Sequence, residues 1–115
     1  MKLLVCGGRD YSDRMAAFVA LDAVHSKRPI TAVIHGAAKG ADLLAGQWAK
    51  QNGIHAMPFP ADWNKDGRAA GPIRNARMLA EGKPDGVVAF PGGRGTADMI
   101  AQASKAGLKV WEPYK

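Results

Sequence analysis

The chain has 115 residues, 47% of them hydrophobic and 23% charged, a composition that is typical of one globular domain and argues against disorder. Lysine and arginine together number 16 against 10 acidic residues, and the net charge of +6 favours anionic partners, from a nucleotide to a nucleic acid. No apolar run approaches the roughly 20 residues that cross a bilayer, and Cys6 as the single cysteine excludes a disulfide scaffold, so we expect a cytoplasmic protein without a membrane partner.

The first half of the chain alternates between apolar strands and amphipathic helices, with glycine-rich corners between them. The predicted elements are a strand at residues 3–6, a helix at 12–26, a strand at 31–35, a helix at 40–52 and a strand at 54–59. Both helices have apolar residues at the spacing i, i+3, i+4 and i+7, which marks one face of a helix. Pro58 weakens the third strand because proline cannot donate a hydrogen bond to the ladder.

The second half opens with residues 60–71, which have no hydrophobic period and contain four charged residues. A segment of this length without regular structure predicts a functional loop or lid. It is followed by a helix at residues 72–82, a strand at 85–90, a fourth helix that includes Thr96, and a short strand at 109–111. Pro72 suits the first position of its helix because the N–H group that proline lacks is unpaired there in any case.

Strands that are joined by helices run parallel, because each crossover returns the chain to the same end of the sheet. The sequence therefore predicts an α/β fold, a single Rossmann-like doubly wound parallel sheet of about five strands in the order 3-2-1-4-5 with helices on both faces. The order reverses between the first and fourth strands, and ligands bind such sheets there, at the carboxyl ends. The glycine-rich corners after the first, second and fourth strands all lie at these ends.

The corner after the fourth strand follows a strand and opens a helix. Glycines allow backbone N–H groups to approach a ligand, and the start of a helix adds partial positive charge, so this corner predicts phosphate binding. The predicted phosphate ligands are Gly92, Gly93, Arg94, Gly95 and Thr96. The alternative is a tight turn in which Thr96 only caps the helix.

The corner after the second strand has the same placement, although it lacks the Gly-Lys-Ser/Thr ending of a Walker A loop. Its candidate phosphate ligands are Gly36, Lys39 and Gly40. Asp42 either accepts ribose hydroxyl groups or only favours the positive end of the helix.

The corner after the first strand offers Gly7, Gly8 and Arg9 as further phosphate ligands. It lacks the G-x-G-x-x-G pattern, so an ordinary dinucleotide fingerprint is absent. Arg9 either clamps phosphate or pairs with Asp10 or Asp13 at the surface.

Arg74 and Arg77 lie on one side of the third predicted helix, where Arg77 is expected to pair with Glu81. Arg74 opposes the helix dipole in the first turn, which is unfavourable without an anion, so it is the better binding candidate. For the same reason its removal is expected to leave folding almost unchanged.

Trp63 either stacks on a base or anchors its loop. The three histidines and Cys6 show no metal-ligand spacing, so no metal or cofactor is expected.

Four blocks of the sequence, spread over nearly the whole chain, carry a family resemblance. They are residues 7–10, 35–49, 61–79 and 90–98. In this order they are similar to the YspA-type, cpYpsA-related branch of the SLOG superfamily. The resemblance implies a small Rossmann-like domain over residues 1–115, from a bacterium or a phage, that binds a nucleotide or a nucleotide-derived ligand.

The wider superfamily includes the LOG phosphoribohydrolases and the DNA-processing protein DprA. Residues 91–99 are similar to the LOG pattern P-G-G-x-G-T-x-x-E, and residues 74–78 are similar to R-K-x-x-M. The resemblance places Arg74 at the functional arginine of the LOG proteins, whereas Asn75 replaces the lysine of their pattern.

Met99 stands at the position of the LOG glutamate. Cleavage of an N-glycosidic bond needs a carboxylate near the ribose, and methionine cannot supply one. Asp98 is one residue away, about 100° around the helix, and is the candidate substitute.

The leading hypothesis is a domain that binds a nucleoside monophosphate, ADP-ribose or a similar ligand, with or without phosphoribohydrolase-like cleavage carried by Arg74 and Asp98. The alternatives are a non-catalytic ligand sensor and a DprA-like nucleic-acid binder, the latter less favoured because only 7% of residues are aromatic. Since a small domain has a high surface-to-volume ratio, we also expect a homodimer or higher homo-oligomer, with its contact on the third predicted helix, where Met78 and Leu79 lie beside the polar face.

Overall fold

Five parallel strands form one sheet in the computed structural model, which describes residues 1–114. The strands are β1 (Lys2–Cys6), β2 (Ala32–His35), β3 (His55–Pro58), β4 (Gly86–Ala89) and β5 (Val110–Trp111). Their order is β3-β2-β1-β4-β5, and every neighbouring pair is parallel. The predicted doubly wound Rossmann-like sheet is therefore confirmed, with Pro58 on an edge strand, where proline is tolerated.

The crossovers between the strands are helical. The helices are α1 (Arg14–Lys27), α2 (Ala41–Gln51), α3 (Trp63–Asp66), α4 (Ala70–Arg77) and α5 (Arg94–Lys105). A 3₁₀ turn, Gly67–Ala69, joins α3 to α4, and a π-helical turn, Met78–Gly82, follows α4 directly. Within residues 1–114, no helix has both the length and the apolar character of a membrane span.

Helices cover both faces of the sheet. Alternate residues of β1 accordingly pack into two different apolar clusters. Leu3 and Val5 belong to the cluster that contains the buried faces of α1 and α2. Leu4 and Cys6 belong to the cluster that contains the π-helical turn and α5. Strands with this burial lack polar alternation, which explains why they appear in the sequence as continuous apolar runs.

The prediction that residues 60–71 lack regular structure is wrong. The segment is helical from Trp63 onward, and the Asp62 side chain caps α3 by accepting a hydrogen bond of 3.0 Å from the backbone N–H of Lys65. No residue of α3 is buried, so this helix has no apolar face that a hydrophobic period could reveal. The following helix begins at Ala70, and Pro72 lies within its first turn instead of at its first position.

The predicted oligomer contact at Met78 and Leu79 is also wrong in part. Met78 is only 2% exposed and packs in the cluster beneath the sheet, so it is not available to a second copy. The sequence placed it beside a polar face, whereas it begins the π-helical turn and packs with Met99 of α5 in the apolar cluster. Arg77 and Glu81 form the expected pair, with 3.0 Å between Arg77 Nε and Glu81 Oε2.

Candidate functional site

The three glycine-rich corners meet through their backbones at the carboxyl ends of β1, β2 and β4. The backbone N–H of Gly8 donates to the carbonyl oxygen of Pro91 at 2.9 Å, which joins the first corner to the fourth-strand corner. The backbone N–H of Ala41 donates to the carbonyl oxygen of Gly8 at 3.2 Å, which joins the first corner to the start of α2. The convergence that the strand order predicts is therefore a hydrogen-bonded arrangement.

Two of the corner glycines are required by this close approach. Gly40 has a φ of +75°, and a Cβ there would meet the carbonyl oxygen of Gly8 and lie 2.6 Å from that of Arg9. A Cβ on Gly92 would lie 2.7 Å from the backbone nitrogen of Gly8 and would also meet the Thr96 hydroxyl. Side chains at these positions would push the corners apart.

A cavity of about 380 Å³, here called the proximal cavity, opens between the corners and α4. Its polar and charged lining includes Gly8, Arg9, Asp42, Arg74, Arg94 and Thr96. Cys6 and Met99 contribute apolar lining. The cavity therefore combines three arginines with residues of all three corners, a lining that suits an anionic ligand.

Arg74 reaches this cavity from α4 and is held in place on two sides. Its Nη1 donates to the carbonyl oxygen of Gly36 at 2.6 Å, and its Nε donates to Asn75 Oδ1 at 3.0 Å. A guanidinium carries five N–H groups, and within residues 1–114 no hydrogen bond engages Nη2, so three N–H groups remain for a ligand. Burial lowers the pKa of Arg74, and the nearby Asp42 carboxylate opposes this shift.

Asp42 is the carboxylate that lines the cavity. It is buried in the first turn of α2, and its Oδ2 accepts a hydrogen bond of 3.2 Å from the backbone N–H of Ala38. Burial raises its pKa from 3.8 to about 6, although that hydrogen bond and the charges of Arg74 and Arg9 act in the opposite direction. Asp42 therefore hydrogen-bonds the backbone of the corner after β2 and also contributes an acidic group to the cavity lining.

The raised pKa of Asp42 predicts a specific pH dependence of stability. Between about pH 4 and 6 the native state keeps a proton that the unfolded chain releases, so Asp42 contributes a loss of stability as the pH rises through this window. The stability lost across this window is roughly 3 kcal/mol. In urea unfolding, wild type should lose stability relative to Asp42→Asn across the window. Parallel profiles for the two proteins would contradict the assigned cause.

Of the other predicted cations, Arg9 and Arg94 line the proximal cavity and Lys39 does not. The Arg9 guanidinium carbon lies 5.2 Å from the centre of the Trp63 ring, and both side chains line the cavity. Arg94 lines it from the start of α5, whereas Lys39 is exposed and lies outside it. Trp63 also approaches Gly71, 3.6 Å from a Cβ placed there, so it has an anchoring contact and a face toward the cavity.

Asp98 is not part of the cavity lining among the described residues. Its Oδ2 accepts hydrogen bonds from Asn75 Nδ2 at 3.0 Å and from Gln102 Nε2 at 2.8 Å. Met99 is fully buried and does line the cavity. The structure therefore brings Arg74 to the cavity and leaves Asp98 in a contact between α4 and α5.

Asn75 is a positioning residue that the sequence did not single out for this role. It is buried, accepts a hydrogen bond from Arg74 and donates to the carbonyl oxygen of Gly95 at 3.2 Å. It thereby links the arginine to the first turn of α5. The only signal in the sequence was its replacement of the lysine in the LOG pattern.

His35 and Cys6 are structural. His35 Nδ1 accepts a hydrogen bond of 3.0 Å from the backbone N–H of Ala37, and burial lowers its pKa, so the ring is neutral. Burial raises the pKa of the Cys6 thiol to about 12, which removes it as a nucleophile. No group of three potential metal-binding side chains occurs within the part of the chain that the structure describes.

Comparison with known proteins adds three findings. Residues 1–65 match the YspA, cpYpsA-related SLOG family. The chain is 38% identical over 117 residues to the Gene 61 protein of Mycobacterium phage D29, covering 95% of this chain and 93% of that protein. A glycinamide ribonucleotide transformylase from Symbiobacterium toebii has an 18% identical sequence and a TM-score of 0.48, and the match covers 82% of this chain but 42% of that one.

Proposed function

The chain belongs to the YspA, cpYpsA-related SLOG family, and from this premise we propose that it is a cytoplasmic protein that binds a nucleotide or nucleotide-derived ligand in the proximal cavity. The observation that carries the proposal is Arg74. Its guanidinium is half-buried, lines the cavity beside the glycine-rich corners, and within residues 1–114 keeps three N–H groups that engage no protein acceptor. Its placement is explained by a phosphate that completes its hydrogen bonding.

The phosphate would lie at the start of α5. Within residues 1–114 no side chain caps this helix, and its first turn contains no acidic residue, so its first N–H groups are left for a ligand. The contacts would come from the backbone of Gly92, Gly93 and Gly95, from the Thr96 hydroxyl and from Arg94. Arg74 and Arg9 would add charge from the opposite side.

The sugar of the ligand would lie beside Asp42. A ribose hydroxyl can donate to a carboxylate, and Asp42 lines the cavity near Arg74. The assignment of catalysis to Arg74 and Asp98 stays a prediction, tested by whether Asp98→Asn alters the release of base from a nucleoside monophosphate. Because Asp98 lies in the contact between α4 and α5, binding without cleavage is the function that the geometry favours.

A thermal-shift screen with nucleoside monophosphates, ADP-ribose and single-stranded DNA tests the proposal. We expect a raised melting temperature with at least one small nucleotide and no free base by chromatography. Absence of a shift with every nucleotide would contradict it. Tighter binding of the DNA, with a steep fall in affinity as salt increases, would favour the nucleic-acid alternative instead.

The homo-oligomer also remains part of the proposal. On the predicted contact helix Met78 is buried, so a partner would have to contact Leu79, which is partly buried, and the exposed residues of α4 such as Ile73. Light scattering at micromolar concentration gives the mass directly, and a monomeric mass would contradict the proposed association.

A further inference from the structure

A second cavity adjoins the proximal one. This distal cavity measures about 520 Å³ and lies between the corner after β2 and the segment that precedes α3. It shares Arg9, Ala38, Trp63 and Arg74 with the proximal cavity. These four shared residues lie between the two cavities and are called the partition below.

Two of the four partition residues, Arg9 and Trp63, are held to each other by a weak contact that a ligand could displace. The Arg9 guanidinium lies over the Trp63 ring, and Trp63 is 49% exposed. A cation–π pair at such an exposed site contributes little to stability. By contrast, Arg74 is fixed by its hydrogen bonds to Gly36 and Asn75, so it would remain between the two cavities when a ligand binds.

The distal cavity carries its own cation. Lys39 lines it but not the proximal cavity, and Asp10 is the acidic residue of its lining. Arg9 and Arg74 contribute to both cavities. Positive charge therefore extends across the partition and beyond the space next to α5.

The sizes of the cavities indicate what fits. Ligand sites span roughly 300–1,000 Å³, so the proximal cavity alone is at the lower end of that range and the two together extend well into it. A nucleoside monophosphate with its phosphate at α5 would leave the distal cavity and Lys39 unused. A ligand with a second polar half would use both.

Resting on the proposed function, we infer that the site takes a nucleoside diphosphate-linked sugar, whose diphosphate crosses the partition at Arg9 and Arg74 and whose distal half occupies the cavity lined by Lys39. The distal half carries hydroxyl groups that Asp10 can accept from. Lys39 then determines whether the longer ligand is preferred to a mononucleotide.

Calorimetric titration with AMP and ADP-ribose tests the inference. We expect ADP-ribose to bind wild type about tenfold or more tightly than AMP, as for one additional charge-assisted contact. Lys39→Met should lower the affinity for ADP-ribose at least about fivefold more than the affinity for AMP. Lys50→Met is the matched control, since Lys50 is an exposed lysine in the last turn of α2 that lines neither cavity.

The outcomes separate the inference from the proposed function. Equal affinities of wild type for AMP and ADP-ribose would overturn the inference and leave nucleotide binding in place. Equal losses for the two ligands in Lys39→Met, or an effect of the same size in Lys50→Met, would also overturn it. If neither ligand binds wild type, the proposed function and the inference both fail.

Discussion

Replacement of Gly40 by alanine is expected to destabilise the protein by about 3 kcal/mol or more, because strained backbone and a steric clash act together. The backbone at Gly40 has φ +75° and ψ −126°, a conformation that residues with a Cβ rarely adopt. The added Cβ would also meet backbone atoms of Gly8 and Arg9, which cannot rotate away as a side chain would. Urea unfolding measures the loss, and any folded fraction should bind AMP poorly.

Gly53→Ala is the matched control for Gly40→Ala. Gly53 also has a positive φ, +65°, but a Cβ there would meet no atom within 4 Å. Gly53→Ala should therefore lose only the roughly 1 kcal/mol of stability that a side chain costs at a positive φ. Similar losses for the two variants would show that the contact between the corners does not constrain Gly40.

Replacement of Arg74 by alanine is expected to weaken AMP binding by roughly 2–4 kcal/mol, because a charge-assisted contact is lost from a partly desolvated site. The structure revises the expectation that folding would be unaffected. Arg74 satisfies the Gly36 carbonyl and lies near the Asp42 carboxylate, so its removal should also cost about 1–2 kcal/mol of stability. Calorimetry and urea unfolding separate the two effects.

Arg77→Ala controls for the loss of a positive charge on the same helix. Arg77 is exposed and pairs with Glu81, so AMP affinity should change less than about twofold. Arg74→Lys keeps the charge but not the forked geometry, and its affinity should fall between those of wild type and Arg74→Ala. An unchanged affinity in Arg74→Ala, or an equal loss in Arg77→Ala, would remove Arg74 from the site.

The fold was predictable because its signals are local. Apolar runs such as residues 87–90 mark strands that are buried on both faces, and the glycines after β1, β2 and β4 mark where the chain must turn closely. Because strands joined by helices run parallel, the order of the strands in the sheet could then be predicted. Helix α3 escaped prediction because four exposed residues have no period, and only the Asp62 cap indicates them.

The sequence anticipated only part of the lining of the proximal cavity: Gly36, Lys39, Gly40, Gly92 and Asp98 were candidates that do not line it among the described residues. The sequence placed Arg74 and Asp42 among the candidates, yet the hydrogen bond from Arg74 to Gly36 joins residues that are 38 positions apart. The burial that raises the pKa of Asp42 depends on how α2 packs against the corners, which no local pattern encodes. The orientation of Asp98 toward Asn75 similarly depends on the packing of α4 against α5.

Whether the three corners form one ligand site can be measured by amide chemical shifts during a titration with AMP. We expect the largest changes in residues 7–9, 36–42 and 92–96, which are distant in sequence and meet only in the folded protein. Gly53 and the amides of α1 should hardly move. Changes confined to one corner, changes centred elsewhere, or no changes at millimolar AMP would contradict a single ligand site formed by the three corners.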